Sequence, residues 1–276
     1  MKKILTAAGA CAFGCVAAER LQSRMSRECW ERATQTTPGL KRLICAAFPY
    51  GPKTVTSGPL SLYARGADYH RVLEARMAPV AEELARRYPG SRFDFYADVS
   101  PFPEVFAAAL AGLGKLGQNG LLIVPGAGSY VFLGFLATDA ELPETGGAIT
   151  PCDGCGACKK ACPGGALGAA VDQDRCLSAL TQRRGQLTEE QTALIKQGGM
   201  LWGCDRCQLV CPENRSRTVP PLPEFAPLPD PTAAELQLSD RAFRRQFAGR
   251  AFTWRGVQPL RRNFETLKEE PPCSES

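Results

Sequence analysis

Cys152-Asp-Gly-Cys155-Gly-Ala-Cys158-Lys-Lys-Ala-Cys162-Pro163 is the first of two matched cysteine blocks, and the second reads Cys204-Asp-Arg-Cys207-Gln-Leu-Val-Cys211-Pro212. Cys176 stands alone between them, so these segments hold eight of the thirteen cysteines. The first block has the bacterial ferredoxin spacing for a four-iron, four-sulfur cluster, whose fourth cysteine ligates the other cluster in two-cluster proteins. By that crossing rule Cys152, Cys155, Cys158 and Cys211 hold one cluster. Cys162, Cys176, Cys204 and Cys207 hold the other. Two-residue gaps let thiolates wrap one face of a cube on a tight loop. The closing prolines turn the chain away and remove a backbone donor. Gly154, Gly156, Gly164 and Gly165 allow close backbone approach to inorganic sulfide. Zinc and disulfides are the competing readings, because Cys-x2-Cys pairs also bind zinc and secreted domains use disulfide frameworks. A three-cysteine run followed by x3-Cys-Pro fits zinc poorly, and 276 residues can bury a core without disulfides. Two such clusters make the chain a carrier of single electrons, fed by an external low-potential donor.

The composition is that of an ordinary globular protein, with 44% hydrophobic and 22% charged residues. The net charge of +5 permits an acidic or nucleic-acid partner without demanding one. Cluster thiolates need a reducing compartment, so a cytoplasmic location is expected. Lys2-Lys3 and the run from Ile4 to Ala18 mimic a short signal peptide, but an amphipathic first helix continuing through Glu19 and Arg20 to Arg24 is the preferred reading. No apolar stretch reaches the ~18 residues of a membrane span, and a monomer without membrane contact is expected.

The chain reads as three consecutive parts: a mixed α/β domain over 1–149, a cluster domain over 150–215, and a Pro-rich linker with a basic helical tail over 216–276. In the first part Leu43–Phe48 reads as a buried strand before the turn Pro49-Tyr50-Gly51-Pro52. A helix is expected from Asp68 to Tyr88, with Leu73, Met77, Val80 and Leu84 on one face and a kink or break at Pro79. Arg92–Ala97 reads as a strand and Phe102–Leu113 as an Ala-rich helix. Leu121–Val124 and Tyr130–Ala137 read as strands joined by Pro125-Gly-Ala-Gly128. In the cluster domain a helix is expected over Thr188–Gln197. Pro220, Pro221, Pro223, Pro227, Pro229 and Pro231 suggest a stiff linker, and Ser239 an N-cap. Gly112-Leu-Gly114-Lys-Leu-Gly117 matches a dinucleotide-binding string, but it follows a helix and leads into a strand. The fingerprint requires the reverse order, so a helix C-cap and tight loop is the better reading.

Several segments together resemble the epoxyqueuosine reductase family. They are Ser61-Leu-Tyr-Ala-Arg-Gly-Ala-Asp-Tyr-His70, Asp98-Val-Ser-Pro101 with Glu104, the Gly112–Gly117 loop with Asn119, Leu121-Leu-Ile and Leu133-Gly134, both cysteine blocks, and the tail from Phe243 to Asn263. The resemblance runs from about Leu43 to Phe264. It implies reduction of the epoxide of epoxyqueuosine in tRNA, giving queuosine. It also implies a cobalamin beside the two [4Fe-4S] clusters. The implied fold is α+β: a cobalamin-binding domain, related to flavin-reductase-like folds, joined to a ferredoxin-like module. Longer members carry a C-terminal helical-repeat region that has no counterpart in this sequence. Lys115 and Gln118 replace the family's usual aromatic and lysine in the Gly-rich loop, and Ser100 stands where glycine or another small residue is usual.

Asp98 follows a predicted strand, and its match to the motif aspartate makes it the proton donor to the departing oxygen, with a pKa expected to be raised by burial. A turn-capping aspartate before Ser100-Pro101 is the alternative. Tyr69, His70, Ser178 and Asp205 lie in matched segments and are candidate cofactor contacts. His70 is the only histidine, and the Asp-x-His-x-x-Gly signature is absent, so cobalt without a histidine from this chain beneath it is expected. In the tail, arginines including Arg244, Arg245 and Arg255 interleave with Phe243, Phe247, Phe252 and Trp254, as in RNA-binding segments. A buried Phe face with a solvated basic face is the competing reading. Two other functions fit the motifs less fully: a ferredoxin-type electron carrier, and a related cobalamin-dependent reductase acting on a small molecule such as an organohalide. Cys11, Cys15, Cys29, Cys45 and Cys273 have no role in this reading.

Overall fold

The structure is a computed structural model that describes residues 1–52, 54–55 and 58–268. Cys273 lies outside the described residues. The chain resolves into two units, each assembled from three stretches. Unit 1 comprises Met1–Lys53, Tyr69–Cys155 and Pro212–Glu224. Unit 2 comprises Thr54–Asp68, Gly156–Cys211 and Phe225–Ser276. The three consecutive parts read from the sequence therefore cut across these units.

Unit 1 is a sheet covered on both faces. Its elements are α1 (Lys2–Ala7), β1 (Ala12–Ala17), α2 (Glu19–Gln22), α3 (Arg27–Thr36), β2 (Arg42–Pro49), α4 (Tyr69–Arg87), β3 (Phe93–Tyr96), α5 (Glu104–Leu110), β4 (Lys115–Leu116), β5 (Leu122–Ile123) and β6 (Val131–Thr138). The main sheet has the order β1-β2-β6-β3, and every neighbouring pair is antiparallel. The apolar run Leu43–Phe48 lies inside β2, paired on both edges, and every residue of it is fully buried. Leu43, Cys45 and Ala47 join a core with Ala107–Leu110 of α5. On the other face Phe48 meets Gly134 of β6 beside Leu73 and Met77 of α4.

Two local expectations change. The N-terminal run does not form one helix. α1 stops before Gly9, whose φ is +91°, and the chain then enters the sheet as β1. Nor does Pro79 break α4, which runs unbroken for 19 residues. Leu73 and Met77 before the proline and Val80 and Leu84 after it are all buried, so packing of one continuous stripe outweighs the lost backbone bond.

Unit 2 is helical: α6 (Ala157–Ala161), α7 (Leu177–Gln182), α8 (Glu189–Gly198), α9 (Arg206–Leu209), α10 (Asp240–Gln246) and α11 (Gln258–Lys268). α8 starts at Thr188 with a complete capping box and ends at left-handed Gly199, as the sequence reading expected within a residue. Ser239 caps α10, its hydroxyl accepting from the Ala242 amide. Trp202, Leu60, Phe243, Phe247, Phe252 and Leu260 form the unit's main core. Asn263 of α11 donates to the Thr181 and Leu201 carbonyls, both at 2.8 Å. The Pro-rich stretch is no free spacer. The Leu222 amide bonds the Pro49 carbonyl within unit 1, and Phe225 is buried in unit 2. Among the described residues no helix is long and apolar enough to cross a membrane.

Candidate functional site

The cysteines cluster at helix ends in unit 2. Cys162 ends α6 and Cys176 begins α7, while Cys204 sits two residues before α9, which carries Cys207. α6, with Cys158, packs against α9. Burial pushes the Cys204 thiol up to about 11, and Asp205, Cys176 and Cys162 add repulsion against its negative form. Three of the four thiols assigned to one cluster thus share a neighbourhood. Their mutual repulsion as thiolates is what a bound iron cluster relieves. Cys162 Sγ accepts the Ala166 amide at 3.3 Å, the kind of contact that tunes a cluster's potential. A Cβ on Gly164 would sit 1.9 Å from the Arg175 carbonyl oxygen, so only glycine lets the loop after Cys162 close on the segment leading to Cys176. The twelve described cysteines are free, with no disulfide among them. Among the described residues no three His, Cys, Asp or Glu side chains form a ready-made site for a single metal ion.

The other assigned set begins in unit 1. Cys152 Sγ accepts the Gln118 amide at 3.4 Å, and the Cys152 amide bonds the Leu116 carbonyl. Lys115 Nζ reaches Asp153 at 3.0 Å and Glu213 at 2.8 Å. One cation therefore ties the arm carrying Cys152 and Cys155 to the segment directly after Cys211. The Gly-rich loop is a helix C-cap, as expected: α5 ends, Gly112 takes φ +85° and β4 follows.

Asp98 lies just past edge strand β3 in unit 1. It is the only described non-glycine residue with positive φ, at 60°, a costly conformation that marks functional turns. The sheet is antiparallel, so the strand-end rule for parallel sheets does not account for its position. His70 Nε2 stands 3.3 Å from Asp98 Oδ2. His70 is the end of a column of stacked rings. Tyr50 lies on Phe132 at 4.3 Å, Phe132 on Tyr69 at 4.4 Å, and Tyr69 on His70 at 4.1 Å. The expected upward shift of Asp98 is reversed. Its pKa is lowered, chiefly by the His70 hydrogen bond and further by Tyr69, against a smaller upward pull from burial. The side chain is 58% exposed, so desolvation is too weak to win.

The raised carboxyl is Glu104 instead. Burial pushes it up to about 7, the Asp98 charge adds to the rise, and the Ser100 hydroxyl and Asp98 amide hold it partly back. Its Oε1 is sealed from solvent with no hydrogen-bond partner. The motif Asp98-x2-Pro101-x2-Glu104 held the signal for this residue, but only its fold partners give it a role.

Tyr69 and His70 thus meet Asp98, while Ser178 and Asp205 lie in unit 2. The Ser178 side chain faces Gln182 Nε2 at 3.5 Å on the same helix. Asp205 is 6% exposed. It accepts the Ser61 hydroxyl at 2.7 Å and the Leu62 amide at 2.8 Å. Burial raises its pKa against these bonds. Gly203, at φ +72°, makes room beside Ser61, where a Cβ would lie 2.4 Å from the serine Cβ. Asp205 thus fixes the entry to α9 onto the Ser61 segment. A cavity of about 400 Å³ opens here, lined by Gly58, Arg65, Met200, Asp205, Arg206 and Leu209 among others.

The tail arginines divide into two groups. Arg250, Arg261 and Arg262 bond backbone carbonyls of Pro229, Arg65, Leu236, Leu238, Leu180 and Arg183. They are structural, and Phe243, Phe247 and Phe252 are core. Arg244 pairs with Asp240 at 2.8 Å. Arg245 is exposed on α10. Arg255 lies 3.7 Å over the ring of Trp254, which is 51% exposed.

Two family models match: "Epoxyqueuosine reductase QueG, DUF1730" over residues 31–99, and "4Fe-4S double cluster binding domain" over residues 151–214. The epoxyqueuosine reductase of Lactococcus garvieae is 34% identical over 259 residues, covering 89% of this chain and 70% of that protein. The Listeria monocytogenes enzyme is 36% identical over 221 residues, covering 78% and 58%. The chain therefore spans 58–70% of the length of these two curated relatives. Among solved structures, the Streptococcus thermophilus epoxyqueuosine reductase superposes with a TM-score of 0.80 at 25% identity over 96% of this chain and 79% of the other. An epoxyqueuosine reductase solved with a tRNA-Tyr epoxyqueuosine-modified stem loop gives the same values. The chain belongs to the epoxyqueuosine reductase family.

Proposed function

We propose that this chain reduces epoxyqueuosine in tRNA to queuosine. The observation that carries the reading is the match over 96% of the chain to a relative solved with the modified stem loop. The reaction breaks both carbon–oxygen bonds of the epoxide, forms a carbon–carbon double bond and releases water. It consumes two electrons and two protons. Two [4Fe-4S] clusters would relay the electrons from an external low-potential donor. Cys162, Cys176, Cys204 and Cys207 would hold one, and Cys152, Cys155, Cys158 and Cys211 the other.

Cobalamin, when bound, supplies a reduced cobalt nucleophilic enough to attack a strained carbon. The residues fit such a cofactor if it needs no imidazole from this chain, because the one histidine has its Nε2 turned to Asp98. Tyr69 and His70, which meet Asp98, would help hold the cofactor, as would Asp205, which anchors the Ser61 segment. The acid is the Asp98–His70 pair. The His70 hydrogen bond lowers the Asp98 pKa, and the Asp98 carboxyl would pass a proton to the departing oxygen. Arg245, Arg244 and Arg255 with Trp254 contact the tRNA backbone and bases. The setting is cytoplasmic. The test is anaerobic incubation of reduced, cobalamin-supplied protein with a modified stem loop, read by mass spectrometry. Conversion supports the reading. Full cofactor loading without conversion would favour a small-molecule substrate.

A further inference from the structure

The segment from Ala97 to Phe102 makes two successive tight turns. The Val99 amide bonds the Ala97 carbonyl at 2.7 Å, and the Ser100 amide bonds the Asp98 carbonyl at 3.0 Å. Val99 at its tip is 80% exposed. Asp98 holds the left-handed conformation that L side chains disfavour. Directly beneath it, Glu104 keeps one carboxyl oxygen sealed and unpartnered. A strained backbone position and an unsatisfied buried oxygen lie together, and a single rearrangement would relieve both.

We propose that Glu104 is a positioning residue for the reaction: as a neutral acid it seats the left-handed Asp98 turn, and its ionisation releases that turn. The charged groups facing Glu104 are Asp98 from the turn and His70 from α4, and the Cys45 thiol of β2 lies beneath. None of the described groups that act on it is a lysine or arginine. A carboxylate here would sit against the Asp98 charge, with the His70 imidazole the one described group whose charge offsets it. Lifting the exposed tip admits water to Oε1 and lets Asp98 relax. Its ionisation falls near neutral pH because burial is the largest influence on it. The inference rests on Asp98 belonging to the acid pair of the proposed reaction, but its main test is independent of substrate.

The test is hydrogen–deuterium exchange over residues 97–102 of the full chain at pH 6 and pH 8, corrected for intrinsic exchange. Wild type should lose about tenfold in protection at the higher pH, the effect of one ionisation displaced by one to two units. Glu104→Gln should keep equal protection at both. His70→Gln should retain the loss. Equal protection in wild type at both pH values would overturn the proposal. So would an unchanged loss in Glu104→Gln, or its disappearance in His70→Gln. In turnover, Glu104→Gln should move the alkaline limb of kcat upward from near 7 without altering iron content. A merely structural glutamate would lower kcat at every pH alike.

Discussion

The thiol region and the Asp98 region are assembled by opposite means. The thiols gather through spacing that is local in sequence, with four cysteines inside Cys152–Cys162 and three inside Cys204–Cys211. The carboxyl region has no such density. His70 comes from α4, Asp98 from the turn after β3 and Glu104 from the head of α5, with the ring column from β2 and β6 behind them. A soft metal cluster needs several identical ligands, so its site repeats one residue type. A proton-handling site needs unlike pKa values. It brings similar groups into unlike surroundings, and here that holds Asp98 low and Glu104 high.

Substitutions can break this contrast. The largest effect should follow Cys204→Ser, which removes a ligand from the set sharing Cys162 and Cys176. Iron should fall from about eight per chain toward half, and turnover should vanish. Iron analysis with electron paramagnetic resonance would check both. Asp98→Asn should leave iron unchanged and lower kcat by about 10²–10⁴-fold, the usual range for a lost acid. A mild loss there would shift the acid role to His70 alone.

Glu104→Gln should change stability in a pH-dependent way. Glu104 in the folded protein ionises near 7 rather than near 4.5, so the fold binds its proton more tightly than the unfolded chain. That contribution is complete below about 4.5 and disappears as pH rises through about 7. The glutamine variant should therefore gain on wild type between pH 5 and pH 8, by up to roughly 3 kcal/mol at 1.36 kcal/mol per unit. Thermal unfolding at the two pH values would show it. In the tail, Arg250→Ala should cost about 2–3 kcal/mol, because it strips a charged donor from buried carbonyls. Arg245→Ala should leave stability within about 0.5 kcal/mol and reduce the salt slope of tRNA binding by about one.

The same contrast explains what could be read from the chain alone. The buried run Leu43–Phe48 and the helix over Thr188–Gln197 are local signals, and both stand where they were expected. Pro79 misled because its cost is local while the stripe that overrides it packs on the sheet. The N-terminal run misled because Ala-rich apolar sequence suits a helix or an edge strand until a partner such as β2 is known. Asp98 was found through its motif. The sign of its pKa shift could not be read, since His70 lies 28 positions away in sequence. The arginines of the tail looked alike. Only their carbonyl partners separate Arg250, Arg261 and Arg262 from Arg245.

The most direct measurement is mass spectrometry of an epoxyqueuosine-bearing stem loop after incubation with the reduced, cobalamin-supplied chain. The account predicts loss of one oxygen atom, in proportion to intact iron content and absent in Cys204→Ser. Unaltered substrate in the presence of fully loaded clusters and bound cobalamin would contradict it.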